Sequence, residues 1–254
     1  MKLEGKVAII TGGGSGMGRA MANLFAKEGA KLVVGEWNQA TLDEVVAEVK
    51  AAGGEIVGVQ GNVADQADDQ KIIDAAMSAY GRIDILCNNA GVMDLFAGVA
   101  EMDDATFDRC MGVNVKGPAQ LSRLVIPIMK AQGGGSIVNS ASAAGTGGAS
   151  AGAAYTMSKH AVIGLTKNTA YRYAQEGIRC NGMVIGAVAT NIMASVDQTK
   201  LDMEALAVWG KWHACTPGQL EADDVARLAL FLASDDASAV NGALVNVDKG
   251  WGAC

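Results

Sequence analysis

Tyr155 and Lys159 stand four residues apart in the run AAYTMSKHAVIG (153–164), which is otherwise made of small and apolar residues. On a helix this spacing sets both side chains on one face, one turn apart. A phenol with its ordinary pKa near ~10 is a poor base at neutral pH, whereas a neighbouring ammonium stabilises the phenolate and lowers that value. Such a pair suits proton exchange with an alcohol or a ketone oxygen. Spacing alone fits an ordinary buried helix equally well, so the pair acquires chemical meaning only from its company.

Far upstream, AIITGGGSGMGRAMANLFAKEGAKLVVGEW (8–37) reads as strand, glycine-rich turn, helix and second strand. Gly12, Gly16 and Gly18 permit a tight turn that lets backbone N–H groups at the helix N-terminus face a pyrophosphate, with Gly14, Ser15 and Met17 in the same stretch. At the tip of the second strand, Glu36 can accept hydrogen bonds from the hydroxyls of an adenosine ribose, with Trp37 beside it. A 2′-phosphate there would meet like charge, and Ser15 adds no positive charge to receive one. NAD is therefore expected over NADP, the alternative for Glu36 being a solvated surface carboxylate.

The framework that carries these groups is read from the hydrophobic pattern. Strand-like runs at Val7–Ile10, Leu32–Val34, Ile56–Val59, Ile83–Cys87, Ser136–Asn139, Arg179–Ile185 and Ala243–Val247 alternate with helical stretches such as Met17–Glu28, Ala40–Ala52, Gln66–Tyr80 and Ala153–Gln175. Continuous apolar strands between helices predict an α/β, doubly wound architecture with a parallel sheet covered on both faces. Only three prolines and no linker-like segment interrupt the 254 residues, so a single domain spanning 1–254 is expected. The stretch at about 187–217 settles into no single period and reads as a helical, mobile substrate-binding flap.

Composition narrows the function classes. Half the residues are hydrophobic and 19% are charged, enough apolar surface for a packed core. A net charge of −7 with no dense Lys/Arg run argues against a nucleic-acid partner. No apolar stretch approaches the roughly 18 residues of a membrane span, and the reading is a soluble, cytoplasmic protein. Five cysteines (87, 110, 180, 215, 254) at irregular spacing, with only two histidines, support neither a disulfide framework nor a metal site. Cys87 to Cys215 are expected as small buried hydrophobes, and Cys254 is left open.

Taken together, Thr11-Gly12-x-x-x-Gly16-x-Gly18, Asn88-Asn89-Ala90-Gly91, Asn114, Ser142, Tyr155 and Lys159 resemble the short-chain dehydrogenase/reductase family in order and spacing, from Lys6 to Gly250. The resemblance implies a single-domain Rossmann-like fold with seven parallel strands, assembled as a homotetramer. It implies that Tyr155 exchanges the proton with substrate oxygen while hydride passes to or from a nicotinamide. Ser142 would hold that oxygen, Lys159 would lower the tyrosine pKa and bind the nicotinamide ribose, and Asn114 would anchor a water for proton relay. Further cofactor contacts implied are Asn89, Ala90 and Gly91 near the adenosine ribose, and Asn62 and Val63 at the adenine, where Asn62 replaces the usual aspartate. Gly186, Val188 and Thr190 would lie by the nicotinamide. Ile185 stands where the family usually has proline, which leaves the loop after the sixth strand open to a different geometry.

Met93, Ala144, Ile192, Met193 and Trp209, with Ser142, are expected around the substrate. Such apolar, adaptable residues point to a hydrophobic, cyclic or otherwise bulky secondary alcohol or ketone. The expected activity is an NAD-dependent oxidoreductase acting on such a small molecule. Its rivals are an NADP-dependent ketoreductase of ketoacyl type, opposed by Glu36, and a catalytically silent NAD-binding scaffold, which needs no complete Asn/Ser/Tyr/Lys set.

Overall fold

The structure is a computed structural model and describes residues 1–253; the question left open for Cys254 lies outside the described residues. Strands β1 (Val7–Thr11), β2 (Lys31–Glu36), β3 (Ile56–Gln60), β4 (Ile85–Asn88), β5 (Gly135–Ser140), β6 (Ile178–Ile185) and β7 (Leu244–Val247) form one sheet. Every pairing is parallel, and the order is β3-β2-β1-β4-β5-β6-β7. The seven strand-like runs read from the sequence all appear, shifted by at most two residues at an end.

Period-2 alternation divides the side chains between two cores. Ala8 and Ile10 of β1, with Leu32 and Val34 of β2, pack against Met21 and Phe25 of α1 (Gly16–Lys27), Leu42 and Val45 of α2 (Gln39–Ala51), and Leu230 of α8 (Ala222–Ala233). Ile9 and Val33 face the other way. They meet Ile72 and Ile73 of α3 (Gln66–Tyr80) and Leu121, Val125 and Met129 of α5 (Gly117–Gln132). Each aliphatic side chain so buried contributes about 1.5–3 kcal/mol of transfer free energy. The sheet is thus covered on both faces, as continuous apolar strands require.

The helical region between β4 and β5 has a feature that the sequence pattern did not single out. α4 (Asp104–Met111) runs through a π-helical turn at Gly112–Lys116 directly into α5. One widened turn rotates the downstream helix and re-aims the side chains within the turn itself. Asn114 lies in that turn and is buried.

The chain crosses from β3 to β4 over β2 and β1, so the strand order reverses between β1 and β4. In an open parallel sheet the crevice at this reversal, beyond the carboxyl ends of the strands, is where ligands bind. The glycine-rich turn after β1 and Asn89-Ala90-Gly91 after β4 border it. β6 ends at Ile185, in register with Val247 and buried, so the residue in place of proline completes the strand. The 187–217 segment is helical, as expected: two short 3₁₀ turns, Ile192–Ser195 and Gln198–Lys200, precede α7 (Met203–His213).

Candidate active site

The glycine-rich turn is tied down from below and open above. Gly12 takes a left-handed φ of 63°, and a Cβ on it would lie 2.9 Å from Ala90 Cα. A Cβ on Gly18 would run into the Gly12 carbonyl oxygen, so α1 approaches β1 only because residue 18 is glycine. Ser15 is the N-cap of α1 and its hydroxyl makes no capping hydrogen bond, while Met17 packs its side chain against the core. What the turn presents is therefore the Ser15 hydroxyl and first-turn N–H groups, the donors that bind anions at a helix N-terminus.

Glu36 is not the solvated carboxylate that the sequence left as an alternative. It is 8% exposed, and its oxygens accept from three backbone amides: Gly14 N at 3.0 Å, Trp37 N at 3.0 Å and Asn38 N at 3.1 Å. A carboxylate offers about four lone-pair sites, so one remains for a ribose hydroxyl. The side chain also fixes the glycine-rich turn against the end of β2. Trp37 beside it is 75% exposed.

At the end of β4, Thr11 organises the opposite wall. Its Oγ accepts from Asn89 N and Ala90 N, both at 3.1 Å, and Asn89 Nδ2 donates to the carbonyls of Thr11 and Gly12. Asn89 thus braces two strand ends. Asn88 braces deeper, donating to Asn139 Oδ1 at 2.8 Å. Asn62 is exposed and its Oδ1 accepts from Ala64 N at 3.0 Å, so the oxygen expected at an adenine is shared with a local turn. Val63 is buried beneath Gly117.

After β6 the chain folds back over the turn. A Cβ on Gly16 would sit 3.1 Å from Thr190 Cγ2, and one on Gly186 would sit 2.7 Å from Asp248 Cβ. Val188 bridges Leu220 through Leu220 N to Ala187 O and Ala189 N to Leu220 O. In a parallel bridge this leaves the amide and carbonyl of Val188 itself out of the pairing.

Tyr155 and Lys159 lie on α6 (Ala153–Tyr173), both buried, with Lys159 Nζ 5.3 Å from the Tyr155 ring centroid. Lys159 Nζ donates to Ser140 O at 2.8 Å, and Gly91 lies against both Nζ and Asn114 Oδ1. Asn114 is clamped: Oδ1 accepts from Val92 N at 2.9 Å, and Nδ2 donates to Val92 O and Ser158 Oγ at 3.0 Å each. Ser142 caps a 3₁₀ turn through Ala144 N and lies beside Tyr155, whereas the Ser140 hydroxyl turns to Asn89.

The electrostatics differ from the expectation that Lys159 lowers the tyrosine pKa. Burial raises Tyr155 above the usual phenol value, with Ser142 opposing, and burial lowers Lys159 to about 8. For each group desolvation is the largest cause.

Around Tyr155 packs an apolar cluster that would form the walls of a substrate chamber. Met93, Phe96, Ala144 and Ala151 are buried around the phenol, and Ile192, Met193, Leu206 and Trp209 pack against them. Of the flap residues with large apolar side chains, Met203 and Val208 face outward instead. Arg109 ties the flap down, donating to Ser195 O at 2.8 Å and Met93 O at 2.7 Å.

Sequence reasoning missed Ser158, Asp94, Phe96 and Arg109. Asp94 carried one usable signal, a lone carboxylate in the largely apolar stretch GVMDLFAGV. The others give none without the fold. Among the described residues no cluster of His, Cys, Asp or Glu could hold a metal ion.

A doubly wound sheet with an anion-binding turn at its switch point and a tyrosine, serine and lysine beside an apolar chamber defines a dinucleotide-linked oxidoreductase. Comparison with known proteins is more specific. The family model described as enoyl-(acyl carrier protein) reductase matches residues 12–252. The short chain dehydrogenase adrF of Penicillium rubens is 40% identical, over 98% of both chains. The 3beta-hydroxysteroid dehydrogenase 2 of Eggerthella lenta is 37% identical, over 99% of this chain and 96% of its own. The crystal structure of levodione reductase superimposes with a TM-score of 0.90 at 34% identity, covering 99% of each chain. The chain belongs to the short-chain dehydrogenase/reductase family, oxidoreductases that use a nicotinamide cofactor.

Proposed function

We propose that the protein is an NAD-dependent oxidoreductase that interconverts a secondary alcohol and a ketone on an apolar, cyclic small molecule. The observation that carries this reading is the placement of the Tyr155 phenol, with Ser142 beside it, among the apolar residues of the chamber. The names of its hydroxysteroid-dehydrogenase and levodione-reductase relatives are in keeping with it. A flap segment whose only basic side chains besides His213 are Lys200 and Lys211 disfavours a strongly anionic substrate.

The residues present fit a nicotinamide dinucleotide. Gly14, Ser15, Gly16, Met17 and Gly18 would hold the pyrophosphate by backbone N–H groups, and Glu36 and Trp37 the adenosine ribose. Asn62 and Val63 would meet the adenine, Asn89, Ala90 and Gly91 the walls, and Gly186, Val188, Thr190 and Lys159 the nicotinamide end. When bound, that group supplies the hydride acceptor or donor. Tyr155 keeps its proton at neutral pH and is set to give it to a carbonyl oxygen held by Ser142. Lys159, with a pKa near 8, can pass a proton onward in the same range, and Asn114 fixes the wall beside it.

A panel of secondary alcohols, including cyclic and steroidal ones, followed by NADH absorbance tests the reaction; no turnover of any member would remove it. Calorimetric titration with NADH and NADPH tests the cofactor, tighter binding of NADPH being the contrary result. Glu36→Arg is expected to shift the efficiency ratio toward NADP by at least about tenfold and to lower Tm, because it also removes three amide contacts. An unchanged ratio would leave Glu36 a purely structural role. A homotetramer and a cytoplasmic location are part of the same proposal; light scattering tests the former.

A further inference from the structure

One carboxylate near the site is used by none of these steps. Asp94, in the loop after β4, is 2% exposed. Its Oδ1 accepts from Phe96 N at 3.0 Å and Gly152 N at 3.2 Å, and its Oδ2 from Tyr155 N at 2.9 Å. All three partners are N–H donors, so both oxygens act as acceptors, as an ionised carboxylate does. The catalytic helix has no side-chain cap of its own, since its N-cap is Gly152. Asp94 supplies that cap from another element, at the end of the helix where a negative charge is stabilising.

Two details show that the contact is built. A Cβ on Gly152 would lie 2.5 Å from Asp94 Oδ2 and 2.8 Å from both N and O of Ala97, so only glycine lets the carboxylate reach the helix. Phe96, held through its amide by the same carboxylate, has φ of 60°. That backbone conformation is strained for a bulky residue and persists only where the surroundings enforce it. Its ring forms part of the chamber wall.

We propose that Asp94 is a positioning residue for the reaction, joining the proton-donating Tyr155 and the chamber wall at Phe96 into one rigid unit. The proposal rests on the reading of Tyr155 as the proton-exchanging group. Around Asp94 the titratable and charged groups are Arg109 and Cys110 on α4 and Tyr155 on α6. Lys159, a turn further along α6, faces Cys110, and His213 of the flap reaches Phe96 edge-on at 6.3 Å. Burial raises the Asp94 pKa above its ordinary value, opposed by the three backbone N–H donors and, least, by Arg109; its negative charge in turn opposes ionisation of Tyr155.

The test is Asp94→Asn in the full-length protein, with cofactor affinity measured alongside. Its kcat is expected to fall about tenfold through misalignment, with cofactor affinity unchanged. Loss of the negative charge is expected to move the rising limb of the pH profile for alcohol oxidation down by about one pH unit. Simple destabilisation would not move that limb. Amide hydrogen exchange, which needs no substrate, is expected to speed at Tyr155, Gly152 and Phe96. A wild-type protein inactive on the whole alcohol panel would sink the proposed function, while the exchange measurement would still decide the positioning role. An active wild type whose pH profile and kcat coincide with those of Asp94→Asn would overturn the inference alone. Should Asp94→Asn not fold, Gly152→Ala displaces the carboxylate but keeps its charge. It is then expected to lower kcat while leaving the limb in place, and an unaltered kcat would overturn the proposal.

Discussion

A single hydroxyl separates Tyr155 from phenylalanine, and the proposed chemistry rests on it. Tyr155→Phe is expected to lower turnover by about 10²–10⁴-fold with cofactor affinity within about twofold, because only the transferable proton is removed. Turnover close to wild type, with a normal calorimetric titration, would take Tyr155 out of the reaction. Lys159 has a signature in stability as well as activity. Burial lowers its folded pKa to about 8 from 10.5, so the unfolded chain binds the extra proton more tightly. The folded state is therefore penalised in full below about pH 8, and the penalty fades as pH rises toward the unfolded value. Lys159→Met is expected to raise Tm at pH 7 by several degrees, on the order of 3 kcal/mol, with the gain shrinking above pH 10. Thermal melts across that range check the sign. The Tyr/Lys pair, Ser142 and the glycine-rich turn were legible in the sequence as types and intervals. Their balance of burial against charge was not, because desolvation depends on what covers α6.

At the scale of elements, the helices and strands were legible because their hydrophobic periods are regular. The α4–α5 region was not. Pro118 and Pro127 lie within it, and the π-helical turn adds a residue to the repeat. Asp94 stayed hidden for a related reason: all its partners are main-chain amides, two of them 58 and 61 residues away, which leave no pattern of side-chain types. The contact of α1 with β1 is more exacting. Gly18→Ala places a methyl group against the Gly12 carbonyl, so helix and turn must separate. Loss of measurable cofactor binding with a lowered Tm is expected, in the upper part of the roughly 1–3 kcal/mol range for overpacking. Calorimetry and melting of this variant measure both effects, and an unchanged affinity would contradict the close approach.

For the whole molecule, the site is assembled from both halves of the chain across the carboxyl edge of the sheet. Arg109 joins them, since it holds the loop after β4 and the flap at once. Charge-assisted hydrogen bonds of this kind contribute about 1.5–3 kcal/mol each. Arg109→Ala is expected to raise KM for the apolar substrate by at least about tenfold with a smaller change in kcat, and to expose the flap to limited proteolysis. Equal KM values and equal cleavage rates would show that the flap is held without Arg109, by its apolar contacts and its other hydrogen bonds, such as Met93 N to Ser195 Oγ and Asp202 N to Leu95 O. The doubly wound architecture and the flap's position were legible from strand and helix order. Which flap residues turn inward was not, because Met203 and Leu206 differ in orientation and not in character.

The four tryptophans occupy two separate settings. Trp209 and Trp212 ride on α7, Trp212 stacks on Trp251 at 5.6 Å, and Trp37 stands alone and solvated beside the ribose end of the cleft. The protein therefore carries two intrinsic optical reporters of different colour. Emission from water-exposed Trp37 lies to the red and is expected to sense occupation of the nucleotide end, while the half-buried Trp209 and Trp212 and the buried Trp251 emit further to the blue and are expected to sense movement of the flap. Replacing Trp37 with phenylalanine would leave the flap signal alone, and comparing its time course with that of the unaltered protein would give the order in which the two halves of the cleft fill.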